Sequence, residues 1–487
     1  MGKRKRWGSL VVCAILVVAM LAAGCSNGGN NGGNSGGGSN TGGNSGDAGS
    51  NGNGGSKPKD VVFVNGDWPQ PNDQTIPQFE KWKAQLEQDN PNIKMKIDAY
   101  QYDTNTFLPK AESGQLPNLF GTWFTEPQKI IKAGYAADIT EAMTRYGYDT
   151  AINPSMLELV KQDGKIYGVP TSGYYMGIWY NINLFKKAGL LDEGGVPKFP
   201  RTYEELAETA KIIKEKTGKA GFFFPTKNNQ GGWQFMNIAW SYGAEFEEQV
   251  DGKWKAVFNS QEAVDALQFV KDLKWKYNVL TDNILVEVND MFRLFGTDQV
   301  GMAFGTADWM NLPVNDYKMS KDNLAMSTVP AGPKGQVSLT GGGLLMFANN
   351  STPEQIDAGF KWMKVKGFSP DSDPATLQAL EDSLANDKKL NRIVGPHGML
   401  NWVNPERVEK EQELRDKYKT VDLNLWNDYM ANDGVTIHPE PPVNAQELYK
   451  VLDAVIQAVL TDKKAEPKAL LDKAVADFQR DYLDKAK

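Results

Sequence analysis

The chain has 487 residues, room for two or three domains or one large bilobal unit, and its 40% hydrophobic content supplies a real core. A formal charge of −7 and a pI near 5.3 argue against nucleic acid as a partner. The two cysteines, Cys13 and Cys25, both lie near the N-terminus, which removes disulfides, thiol nucleophiles and Cys-ligated metals from the rest of the chain. His397 and His438 lack any zinc-ligand spacing and read as surface or loop residues, so no cofactor and no metal is expected.

Lys3-Arg4-Lys5-Arg6 is a basic start, and residues 10–21 are apolar but short of the roughly 20 that a membrane span needs. Ala22-Ala23-Gly24 then stand directly before Cys25. This run resembles the lipobox of bacterial lipoproteins, although Ala22 stands where leucine is commonest and Leu21 lies one place earlier. The resemblance implies a lipoprotein signal peptide over residues 1–24 and lipidation of Cys25, whose acyl chains would hold the protein to a membrane. The alternative is a simply cleaved secretory signal. Residues 26–56 are almost wholly Gly, Asn and Ser, with Ala48 the sole apolar residue, and cannot bury a core. Residues 25–59 are therefore expected to form a disordered tether, spanning roughly 30 Å root-mean-square. Such a tether suggests a Gram-positive surface.

Residues 60–65 read as the first strand, which Gly66-Asp67-Trp68-Pro69 leaves. Ile76, Phe79, Trp82 and Leu86 recur at helical spacing, and Ile93, Met95 and Ile97 alternate with polar residues as a half-buried strand does. This alternation predicts helices on both faces of a mixed sheet. Further on, Asp163-Gly164 is a turn pair, and Ile166, Tyr167 and Val169 make a short strand that Pro170 ends. Residues 174–180 are apolar and aromatic, a buried strand, and residues 184–188 begin a helix that Gly189 closes. A chain that leaves one strand, passes small residues and enters another sheet suits a two-lobed protein; the pattern alone fits an ordinary strand–turn–helix unit equally well. Thr202 and Glu205 predict a capping box for a helix buried through Leu206, Ala210 and Ile213. Residues 228–233 read as a polar, glycine-containing loop, and Val264, Leu267, Val270 and Leu273 mark another helix. Gly341-Gly342-Gly343 lack dinucleotide-binding spacing and read as a hinge ahead of an apolar strand over 344–348. Thr352 and Gln355 predict a second capping box, with Pro353 at the first helical position. Residues 369–432 are mostly helical and charged, residues 437–442 form a rigid loop, and two helices close the chain.

Gly164-Lys165-Ile166-Tyr167-Gly168-Val169-Pro170 followed by Tyr180-Asn181-Ile182-Asn183-Leu184-Phe185-Lys186-Lys187-Ala188-Gly189-Leu190 resembles the crossover region of the family 1 extracellular solute-binding proteins, the maltose-binding-protein-like receptors of ABC importers. Residues 111–123 resemble another segment of that family, with Asn118 replacing the usual acidic residue; residues 134–139 and 301–310 add two more, and the likeness is weakest over 369–432. The resemblance implies an α/β, two-lobed periplasmic-binding-protein-like fold: two mixed-sheet lobes joined by hinge crossovers near 170–175 and 340–343. Lobe 1 is expected to comprise 60–171 and 342–400, and lobe 2 172–341 and 401–487. It further implies a carbohydrate ligand, an oligosaccharide for preference, ABC transporter permease subunits as partners, and a monomer at the extracellular face of the cytoplasmic membrane.

The chain beyond residue 60 carries no nucleophile elbow, phosphate loop or EF-hand pattern. Glu245, Glu247 and Glu248 read as a solvated acidic run rather than a glycosidase pair, so no enzyme is expected. What remains is aromatic residues at strand ends beside glycine and short polar groups. A flat ring covers the C–H face of a sugar while amides and carboxylates bond its hydroxyl rim, and Trp68, Trp123, Tyr174, Tyr175, Trp233 and Trp309 fit that description; Trp82, Trp275 and Trp362 are assigned to helix cores. The family resemblance implies ligand contacts at Asp67, Trp68, Trp123, Tyr174, Trp233 and Trp309, with Gln230 and Asp308 as polar partners and Gly341 and Gly342 at the second crossover. Tyr174 departs from the acidic residue of some relatives, which argues against maltodextrin itself. Two alternatives from other classes are a secreted polysaccharide-degrading enzyme, opposed by the missing acid/base pair, and a ligand-loaded sensor for a membrane kinase.

Overall fold

The computed structural model describes residues 59–485. The expectations for the signal peptide and for Cys25, and nearly all of those for the tether, lie outside these residues. Two mixed sheets organise the described part. In the first, Val61–Asn65 pairs in parallel with Ile93–Ile97 and with Leu119–Trp123. Antiparallel to Leu119–Trp123 runs the long strand Val337–Phe347, flanked on its other edge by Gly168–Tyr175, and Thr436–Pro439 joins its beginning in parallel. The second sheet has the order Leu324–Thr328, Gly177–Asn181, Val300–Gly305, Ala220–Phe223, and only its last pair is parallel. Every residue of Val300–Gly305 and of Leu324–Thr328 is buried, because helices cover the sheet and leave the strands no solvated face.

Each sheet has its own apolar core. One gathers side chains from Phe63 to Val169, from Leu344 to Met363, and Trp402. The other runs from Tyr175 to Leu339 and takes in Ile393 and residues 421–483. The α/β two-lobed architecture expected from the sequence is the one observed.

By core membership the described chain passes between the cores five times, within 169–175, 339–344, 363–393, 393–402 and 402–421, and the first, second and fourth of these meet at the hinge as three segments. Gly168–Tyr175 does not stop at Pro170 as expected: the register slips between Gly343 and Leu344, so Thr171 is the extra residue of a bulge beside Pro170. The strand expected over 174–180 is split at Met176. The Met176 N–H makes a last bond to the Leu339 carbonyl at 3.1 Å, and Gly177 then enters the second sheet. The glycine triplet lies inside Val337–Phe347 rather than ahead of it, and a Cβ at Gly342 would stand 2.1 Å from the Ser172 carbonyl oxygen. The third segment joins Ile393 of one core to Trp402 of the other. Asn401 pins it to the hinge, its side-chain amide donating to the Thr171 carbonyl at 2.7 Å and its own carbonyl accepting from Asn153 N–H at 2.8 Å.

Local signals fared unevenly. Thr352 and Gln355 make both halves of a capping box, whereas Thr202 accepts from the Glu205 N–H but the Glu205 carboxylate turns to the Arg201 N–H at 2.7 Å. Residues 228–233 are not a loop throughout, since the helix Gln230–Tyr242 begins within them. Residues 437–442 begin as strand, held by pairing with Val337–Thr340 and by the His438 ring stacked 3.8 Å from Trp240. Within the acidic run, Glu245 and Glu248 are exposed, but Glu247 turns inward to accept from the Val443 N–H at 3.2 Å.

Candidate functional site

Between the two cores lies a cavity of about 410 Å³. Its first wall is Trp123, the last residue of Leu119–Trp123 and 44% exposed. Tyr102 meets that indole edge-on at 5.1 Å and 71°, and its hydroxyl donates to the buried Glu126 carboxylate, so the tryptophan is backed by a fixed group. The floor is the hinge itself. Tyr174 and Gly342 line it, and the Tyr174 ring lies over Gly341, where a Cβ would come within 2.3 Å of the phenolic oxygen.

The second wall is built from three elements. Trp233 sits in the first turn of Gln230–Tyr242, Trp309 ends the short 3-10 turn Ala307–Trp309 after Val300–Gly305, and Phe292 projects from Val288–Gly296. Trp233 and Trp309 are 5.5 Å apart at 52°, Phe292 meets Trp309 at 5.7 Å and 81°, and Tyr174 meets Trp233 at 6.3 Å and 90°. Each ring is thus held by another, leaving little side-chain entropy to lose on binding. Asn228 and Asn229, at φ of 58° and 67°, turn the chain into Gln230–Tyr242, and the Asp453 carboxylate accepts from the Asn229 and Gly232 N–H groups at 2.8 Å each. That approach requires glycine: a Cβ at Gly232 would be 2.4 Å from the Tyr449 carbonyl oxygen.

Asn228, Asn229, Gln230, Asn289 and Gln446 form an amide rim, and Glu440 is the carboxylate that joins it. Tyr449 donates to Glu440 at 2.9 Å. Burial pushes the Glu440 carboxyl up to about 8, the tyrosine bond opposes the shift and the charge of Glu126 adds to it. Across the cavity mouth the Gln446 amide donates to Thr125 at 3.3 Å and Lys129 pairs with Glu447 at 3.4 Å. A separate chamber of about 290 Å³ opens on the hinge beside Ser172 and Gly173, lined also by Asp308, His397, Glu411 and Arg415.

Residues 72–366 match the family described as bacterial extracellular solute-binding protein. The chain belongs to that family. The resemblance carried by residues 164–190 is therefore borne out. A binding protein of Brucella abortus is 26% identical over 328 residues, 61% of this chain and 73% of its own length. An ABC transporter solute-binding protein from Thermotoga lettingae, bound with alpha-D-tagatose, superposes with a TM-score of 0.65 at 17% identity over 87% of this chain and 99% of its own. The GacH receptor of Streptomyces glaucescens, solved without ligand and with acarbose, gives a TM-score of 0.65 at 18% identity over 88% of this chain and 99% of its own. These likenesses establish the solute-binding-protein fold.

Within this solute-binding protein, Trp123, Tyr174, Gln230, Trp233, Trp309 and Gly342 line the one cavity. The other expected contacts lie elsewhere. The Asp67 carboxylate accepts from the Trp362 indole at 2.8 Å and pairs with Lys366 at 2.5 Å, and Trp68 stacks 5.9 Å from Trp362, so both belong to the packing of the helix Pro353–Val365. Tyr175 points away from the cavity, its hydroxyl donating to the Tyr429 carbonyl at 2.9 Å, and Gly341 is covered by Tyr174. Asp308 opens to the hinge chamber instead. Glu440, Tyr449, Gln446, Phe292, Asn228 and Asn229 were missed. The two asparagines were legible as turn residues, but nothing in residues 436–449 signalled that a C-terminal segment returns to the cleft.

Proposed function

We propose that this chain is a lipid-anchored extracellular receptor that captures an oligosaccharide between its lobes and delivers it to an ABC import permease, acting as a monomer that binds without turnover. The reading rests on one observation: Trp123, Tyr174, Trp233, Trp309 and Phe292 converge on a single interlobe cavity rimmed by side-chain amides. Rings of that kind cover C–H faces, and the amides supply both donors and acceptors for hydroxyls. Tagatose and acarbose in proteins of like fold support a carbohydrate over other solutes. Closure would move the part built on the first core, which holds Phe63 to Val169, Leu344 to Met363 and Trp402, against the part built on the second, which holds Ile393 despite its expected seat with 342–400, about the paired strands Gly168–Tyr175 and Val337–Phe347.

A thermal-shift screen over di- to hexasaccharides tests this, because a ligand at 100 times its dissociation constant adds about 2.7 kcal/mol of stability. A saccharide that raises the melting temperature, binds by calorimetry and is recovered uncleaved supports the reading. Release of shortened sugars would favour an enzyme, and a panel without any shift would remove carbohydrate as the ligand.

A further inference from the structure

We propose that the aromatic cavity discriminates by charge, admitting neutral and amine-bearing saccharides and refusing anionic ones such as uronates; the inference rests on the saccharide reading above. Among the described residues no lysine or arginine lines the cavity, and its one carboxyl side chain is that of Glu440. At the wider mouth Asp103, Glu287 and Glu447 stand against a single cation, Lys450. Glu126 lies buried behind the Trp123 wall, and its charge acts on Glu440 across the cleft. Lys129, which reaches over from the opposite lobe, is paired with Glu447 at 3.4 Å.

The consequence follows from solvation. A carboxylate or phosphate entering this space sheds its water and must find a cation or several N–H donors in return. The cavity offers tryptophan faces, which carry negative π density, and amides that are acceptors as much as donors. A neutral hydroxyl is satisfied by the same amides and by Glu440 in either protonation state. An ammonium group gains the ring faces and the Glu440 carboxylate. The hinge chamber does not supply the missing cation: the Arg415 guanidinium is spent on Glu411, at 2.6 and 3.1 Å.

Two measurements on the full folded protein test this. The first is calorimetry with maltotriose and cellotriose, their C6-oxidised tricarboxylates, and glucosamine trimer, at fixed ionic strength. Each oxidised trimer should bind about tenfold or more weakly than its parent, with glucosamine trimer on the side of the neutral sugars. The second needs no ligand: collisional quenching of Trp123, isolated as the difference between the protein and Trp123→Phe. Iodide should quench that component about threefold less than acrylamide or caesium, each normalised to free tryptophanamide. An oxidised trimer that binds as well as its parent, or iodide quenching equal to acrylamide, overturns the inference. If neither these trimers nor any member of the di- to hexasaccharide panel binds while iodide is still excluded, the charge discrimination stands and the saccharide reading falls.

Discussion

Trp309 and Asp67 separate a residue that serves the cleft from one that serves the core. Trp309 is half-buried against Trp233 and Phe292 with its remaining face toward the cavity. As a held aromatic platform it should behave as a binding hot spot, so Trp309→Ala is expected to cost on the order of 2 kcal/mol of binding, a weakening of about thirtyfold. Calorimetry and a urea melt of the apo protein decide the matter together, since a collapsed melt would make Trp309 a core residue. Asp67 carries the opposite expectation. Its carboxylate ties Trp362 and Lys366, so Asp67→Ala strands two donors and should cost about 1–3 kcal/mol of folding stability. Ligand affinity should stay within about twofold, because the residue does not reach the cavity. A mutant with normal stability and lost affinity would return Asp67 to the site.

At the scale of elements, acid gathers around the helix Ala445–Thr461: Asp453 lies on it, Glu440 precedes it, and Glu247, from the strand Glu247–Val250, accepts from the Val443 N–H beside it. Burial raises the carboxyls of Glu247 and Glu440 to about 8 and that of Asp453 to about 6. In the unfolded chain these groups ionise near 4. The folded state therefore holds extra protons between roughly pH 4 and 8, and stability is greatest at the acid end of that window and declines as pH rises through it. Melting temperature should fall from pH 5 to 8. The double variant Glu247→Gln with Glu440→Gln should remove most of the decline above pH 6, where the share of Asp453 has ended. A wild-type melt that stays flat or rises over this range would contradict the burial of these groups.

The same segment shows what was legible in the sequence. Helices with three or four apolar residues at 3.6-residue spacing, such as Tyr203–Thr217 and Gln261–Trp275, were readable because periodicity is local. So was Trp309, placed by a strand that ends in glycine. Glu440 and Gln446 were not, since their roles come from a chain that returns to the cleft long after Trp233 and Trp309, a tertiary fact without a local mark. Asp67 and Trp68 misled for the same reason: aromatic-plus-acid beside a glycine is also how a helix is fastened to a sheet.

At the scale of the molecule, attachment and architecture make separate demands. If Cys25 carries the acyl anchor, Cys25→Ser should appear in the medium or accumulate unprocessed, whereas the parent fractionates with detergent. Equal fractionation of both would refute lipidation there. The arrangement of the first sheet has a different consequence, one of timing. On its edge away from Val61–Asn65, Leu119–Trp123 pairs with Val337–Phe347, with Thr122 opposite Leu344. At a synthesis rate of roughly 5–20 residues per second, some tens of seconds separate the two strands as they leave the ribosome. Until the later one arrives, the N-terminal part lacks the strand that lies between Leu119–Trp123 and Gly168–Tyr175, and its sheet stays incomplete. For a member of an extracellular family, the order of its own strands thus predicts a chain that completes its first sheet late in synthesis and stays threadable until then.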